Sequence, residues 1–102
     1  MTDIRISSIN AKGLNSPIKR YSLMRDMKRL KVQIMLVQET HFKKNHTPLL
    51  RFRGFSTVTT SIPYHNKSRG VMILVADSLG FTPLASHSDN SGRYLFLKGL
   101  IN

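Results

Sequence analysis

Ile34-Met35-Leu36-Val37-Gln38-Glu39 is the stretch from which the fold can be read. Four apolar residues in a row, closed by two polar ones, are too short for a buried helix. They suit a strand covered on both faces. We take that strand as Val32 to Gln38. On its N-terminal side, Leu23, Met24, Met27 and Leu30 recur at helical spacing, while Lys19, Lys28 and Arg29 fall mostly elsewhere. This predicts a helix from Pro17 to about Leu30, with Ser16 as N-cap and proline in the first turn. Its Met and Leu stripe reads as core packing. Gly13 and Asn15 mark the loop before it. Earlier still, Ile4, Ile6 and Ser8 alternate with Arg5 and Ser7, which predicts a strand from Asp3 to Asn10. Strand, helix, strand at this spacing is a βαβ unit, so the two strands should be parallel.

Downstream of Glu39 the pattern changes. Phe55 to Ser61, Val71 to Ala76 and Tyr94 to Ile101 read as strands. The connections carry turn residues at Pro63 to Gly70, Asp77 to Gly80 and Ser88 to Gly92. Short strands joined this way predict an antiparallel meander. The fold class expected is therefore α/β (α+β): a mixed sheet from an N-terminal βαβ unit plus antiparallel strands, with one helix. Little else could cover the sheet's second face. Two readings fit that shortfall, an interrupted domain or a small domain that dimerises through its edge.

The sequence has 102 residues, enough for one small domain. Lys and Arg number 16 against 5 Asp and Glu, a formal charge of +11. Such an excess favours polyanionic partners, DNA first; the alternative is a basic surface with no specific partner. Cysteine is absent, which excludes disulfides and thiolate metal sites and fits a reducing, intracellular compartment, the nucleus included. No secretory signal is visible at the N-terminus and no apolar run is long enough for a membrane span, so no membrane partner is expected. Oligomeric state is not readable.

In a βαβ unit the carboxyl ends of both strands face one side, where open α/β sheets bind ligands. Asn10 ends the first strand and Glu39 the second. Neighbouring strands lie about 5 Å apart, so the two side chains can converge. A carboxylate and an amide oxygen are hard ligands, and magnesium typically takes one or two carboxylates with water and phosphate. Half a magnesium site is one reading; a turn asparagine and a solvated glutamate are the other.

The words around these residues resemble a known superfamily. Ser7-Ser8-Ile9-Asn10-Ala11-Lys12-Gly13-Leu14-Asn15 is similar to the opening motif of the endonuclease/exonuclease/phosphatase superfamily, and Leu36-Val37-Gln38-Glu39-Thr40-His41 to its second motif. Arg53-Gly54-Phe55, Arg69-Gly70-Val71-Met72-Ile73-Leu74 and Gly92-Arg93-Tyr94-Leu95-Phe96-Leu97 look like the family's following turn and core strands. The wording is closest to the endonuclease domain of LINE-type non-LTR retrotransposons. The resemblance spans residues 1–102, as one truncated domain, and reaches only the N-terminal part of the family's DNase I-like four-layer α/β sandwich.

It implies a magnesium-dependent phosphodiesterase or DNA endonuclease, inactive alone. Asn10 matches the catalytic asparagine that positions metal and scissile phosphate. Glu39 matches the carboxylate that holds Mg2+ (or Mn2+), once the site is completed. The family's tyrosine, Asp-x-Asn pair and closing aspartate and histidine are expected beyond Asn102. Lys12 departs from the acidic or amide residue many exonuclease III-like members carry there. His41 is either structural or steadies the metal's ligand and reaches a phosphate. Lys43, Lys44 and Arg69 are candidate phosphate contacts. The alternative function is a non-catalytic basic nucleic-acid-binding module; a lipid or inositol phosphatase fits the charge less well.

Overall fold

The computed structural model describes residues 3–42, 52–63, 69–89 and 91–102. It is mixed α/β, with a mixed sheet and one α-helix among the described residues. Strand β1 (Ile6–Asn10) leads into helix α1 (Pro17–Arg29) and strand β2 (Ile34–Gln38). Strands β3 (Phe55–Ser61) and β4 (Val71–Ala76) follow, then a single 3-10 turn at Asp77–Leu79. Strands β5 (Phe81–Ser88) and β6 (Leu95–Ile101) complete the order. The sheet runs β1-β2-β4-β3. β1 and β2 are parallel, Ile6 opposite Ile34 and Asn10 opposite Gln38, as the βαβ reading requires. β4 is antiparallel to both β2 and β3.

Two expectations are corrected. The last strand does not extend the sheet as a meander: β6 pairs with β5 in a separate two-stranded antiparallel sheet. β5 itself carries no clear strand pattern, because Pro83 interrupts it and most of it is exposed. The ladder accommodates Pro83 at a register shift between Pro83 and Ala85, where a missing N–H is tolerated. The second correction follows from the first, since the sheet's other face is partly covered. Ile73, Val75 and Leu79 are buried there against Ile34, Phe81, Leu95 and Leu97. Towards β1 that face stays open, with Ile6 61% exposed.

On the helix side the core comprises Leu14, Leu23, Met27, Val32, Met35, Val37, Phe42, Phe52, Met72 and Leu74. β4 is thus apolar throughout because both of its faces are buried. The Leu23–Met27 stripe of α1 packs as expected, whereas Leu30 is exposed. Three strands are shorter than the sequence suggests, β1 starting at Ile6, β2 at Ile34 and β6 at Leu95. Ser16 sits at the N-cap with extended backbone, but its hydroxyl makes no capping bond. The C-terminal end of α1 is more specific. Leu30 is the C-cap, Lys31 takes φ +56°, and Val32 N–H reaches back to Met27 C=O (3.0 Å) and Lys31 N–H to Lys28 C=O (3.2 Å). This is a Schellman motif, with lysine where glycine is usual. No helix among the described residues is long and apolar enough to cross a membrane.

Candidate functional site

The parallel register brings Asn10 and Glu39 to the same end of the sheet, where they touch. Asn10 Nδ2 donates to Glu39 Oε2, and Asn10 Oδ1 accepts the Lys12 N–H at 3.1 Å. This orientation satisfies both neighbours, because a carboxylate needs a donor and a backbone N–H an acceptor. Asn10 therefore orients Glu39 in this arrangement, and its own oxygen is committed to the turn. His41 Nε2 lies 3.5 Å from Glu39 Oε1, a charge contact too long for a good hydrogen bond. That nitrogen is buried and has no hydrogen-bond partner among the described residues.

The backbone around these side chains is zipped and strained. Ala11, Gly13 and Leu14 N–H donate to the carbonyls of Gln38, Glu39 and Thr40, at 2.9, 2.7 and 2.8 Å. On the other side, Thr40 and His41 N–H donate to Gly70 and Arg69 carbonyls, at 3.0 and 2.9 Å. Asn15 Nδ2 donates to His41 C=O at 2.7 Å. Four non-glycine residues have positive φ among the described residues, and three of them, Lys12, Glu39 and His41, are here. Such strain costs roughly 1–3 kcal/mol per residue and clusters at functional sites. The packing here is close. A β-carbon on Gly13 would lie 2.8 Å from His41 Nδ1.

The Glu39 carboxyl is held below its ordinary value. The Asn10 hydrogen bond is the main cause; some burial opposes it, and His41 and Lys12 add to it. At neutral pH it is an anion beside an amide and an imidazole, and its side chain is still 42% exposed. One accessible carboxylate with an unpartnered ring nitrogen nearby suits a divalent cation that takes its other ligands from water or phosphate. Among the described residues no group of three or more His, Cys, Asp or Glu side chains that could hold a metal ion is assembled.

A second cluster locks the loop behind the site. Asp89 accepts Ser61 Oγ (3.3 Å), Ser91 N–H (3.1 Å), Ser91 Oγ (2.5 Å) and Arg93 Nε (2.9 Å). Burial disfavours its charge, but the Ser91 and Arg93 hydrogen bonds outweigh that and hold the carboxyl well below the usual range. Gly92 N–H donates to Ser61 Oγ (3.0 Å), Gly70 N–H to Gly92 C=O (3.0 Å), and Thr40 N–H to Gly70 C=O. A hydrogen-bonded chain thus runs from Asp89 to the residue after Glu39.

Asn10, Glu39 and His41 come together, then, with the Arg69 backbone at their edge and its side chain exposed. Lys43 and Lys44 lie outside the described residues. Lys12, Thr40 and the Asp89 cluster were not marked as site residues. Lys12 stood out only as a departure from the family pattern, and Asp89 only as part of a turn. No family model matches the sequence.

Proposed function

We propose that this chain is the N-terminal part of a magnesium-dependent DNA endonuclease domain of the retrotransposon type, half of a DNase I-like sandwich. The observation that carries the reading is the Asn10–Glu39 contact at the carboxyl ends of two parallel strands, inside the two motifs that resemble that family. Glu39 would hold the Mg2+ (or Mn2+) ion and Asn10 keeps its carboxylate aimed and ionised. Once bound, the ion would polarise a phosphoryl oxygen for attack by water. His41 steadies Glu39 through its buried Nε2. No residue in this stretch is assigned to activate the water, so the 102 residues bind metal and DNA without turnover.

The test is Mn2+ binding followed by electron paramagnetic resonance, beside nicking of supercoiled plasmid. Glu39→Ala should abolish binding, and Asn10→Ala should weaken it roughly 10- to 100-fold, the usual effect of removing a group that orients a ligand. No nicking is expected from the chain with Mg2+. Mn2+ affinity unaffected by Glu39→Ala would refute the metal site. That result would favour the second reading, a basic nucleic-acid-binding module without chemistry, which the absence of a three-residue ligand group among the described residues also suits. Nicking that depends on both Mg2+ and Glu39 would refute the claim of inactivity.

A further inference from the structure

At the other end of the sheet, five-residue strands place a second feature roughly 15 Å from Glu39. It is an open cleft of about 440 Å3 whose walls include Arg5, Lys28, Lys31 and Arg53, with Asp3 and Gln33 beside them. The four cations come from three separate segments: the residue before β1, the end of α1, and the approach to β3. Asp3 is the one acidic residue lining the cleft, and none of the four cations is in an ion pair among the described residues. Arg5 is held in place, its Nη1 donating to Leu30 C=O (3.0 Å) and its N–H to Gln33 Oε1 (2.8 Å). Unpaired like charges around a concavity focus a positive potential.

Lys31 adds a second observation. Among the described residues it is the one non-glycine residue with positive φ away from Glu39, at a position where glycine would be less strained. Helix-dipole compensation explains a cation near this end of α1, and Lys28 and Arg29 already provide it. It does not explain a lysine in a left-handed conformation.

We propose that this cleft is a phosphodiester-binding surface, which tracks a nucleic-acid backbone at a place distinct from the Glu39 site. The four side chains are exposed and spread over the walls, which suits successive phosphates along a strand better than one small anion. The inference shares its partner class with the proposed function but does not depend on its chemistry.

The experiment measures affinity for a short DNA duplex against salt concentration, in chelator, for the full chain. Lys31→Gly with Arg53→Ala is compared with Arg25→Ala plus Lys98→Ala, an equal loss of charge elsewhere. The cleft variant should bind about tenfold more weakly near 0.1 M salt, with its log–log salt slope reduced by about 1.8, two phosphate contacts at 0.9 each. The control should lose much less. Lys31→Gly alone should weaken binding without lowering Tm, which separates the proposal from a folding defect. Equal losses in both double variants, or none in the cleft variant, would overturn it. So would stronger attachment to anionic lipid vesicles than to DNA. Mn2+ affinity unaffected by Glu39→Ala, with the cleft-dependent DNA binding retained, would refute the proposed nuclease site alone.

Discussion

At Gly70 a β-carbon would lie 2.1 Å from the Thr40 hydroxyl, and φ is +119°. Both facts oppose any side chain there. Gly70→Ala should cost roughly 2–4 kcal/mol, combining backbone strain with a core clash, and urea unfolding will measure it. Adding Thr40→Ala should restore only the clash share, because the φ strain stays. The same substitution should also weaken Mn2+ binding, since Thr40 N–H hangs from the Gly70 carbonyl next to Glu39. At this scale the sequence is legible only in part. Asn10 and Glu39 stand out because each lies at the end of a strand within a recognisable word. The positive φ of Lys12, Glu39 and His41 leaves no trace in residue type, because none of these is glycine. Asp89 was hidden for another reason. Its partners Ser61, Ser91 and Arg93 come from two separated segments, and only the packed structure joins them.

Helix α1 is the single α-helix among the described residues, and it covers one face of the sheet with few residues. Met27 is fully buried and Ile18 is 78% exposed. Met27→Ala should therefore cost about 2–5 kcal/mol. Ile18→Ala should stay within about 0.5 kcal/mol. At the end of the same helix, Lys31→Gly relieves a left-handed residue worth about 1–2 kcal/mol. It adds chain entropy that costs about 0.4–1 kcal/mol. A net gain of roughly 0.5–1 kcal/mol follows, to be read by urea unfolding. Elements were legible where periodicity was strong. β2 and β4 announce themselves as apolar runs because each is paired on both sides; β4 is covered on both faces, whereas β2, expected to be, buries Met35 and Val37 on one face and leaves Leu36 exposed on the other. β5 did not, since its hairpin offers mainly Phe81 to the core and leaves the stretch from Thr82 to His87 exposed. The hairpin was therefore missed, and with it the partial cover over Ile73 and Val75.

For the whole molecule the charge balance sets the response to acid. Protonating every carboxylate and histidine raises the formal charge from +11 to +20, from 16 Lys and Arg plus 4 His. Glu39 and Asp89 both have depressed values in the fold. Each therefore contributes stability that is complete above the ordinary carboxylate range and is lost as pH falls through the depressed value. Tm should hold from neutral pH to about pH 5 and fall steeply below about pH 4, and added salt should recover part of the loss by screening. Asp89→Asn should lower Tm at pH 7 and flatten that acid limb; an acid limb identical to the parent's would remove Asp89 from the account. The chain from Asp89 to Thr40 also has a consequence for the order of events during synthesis. β1 and β2 can pair as soon as Gln38 has left the ribosome, yet the Gly70 amide finds its acceptor only after Gly92 has emerged. The loop that carries Glu39 is thus translated early and locked late, and the Gly70 amide is a hydrogen-exchange reporter for that last step.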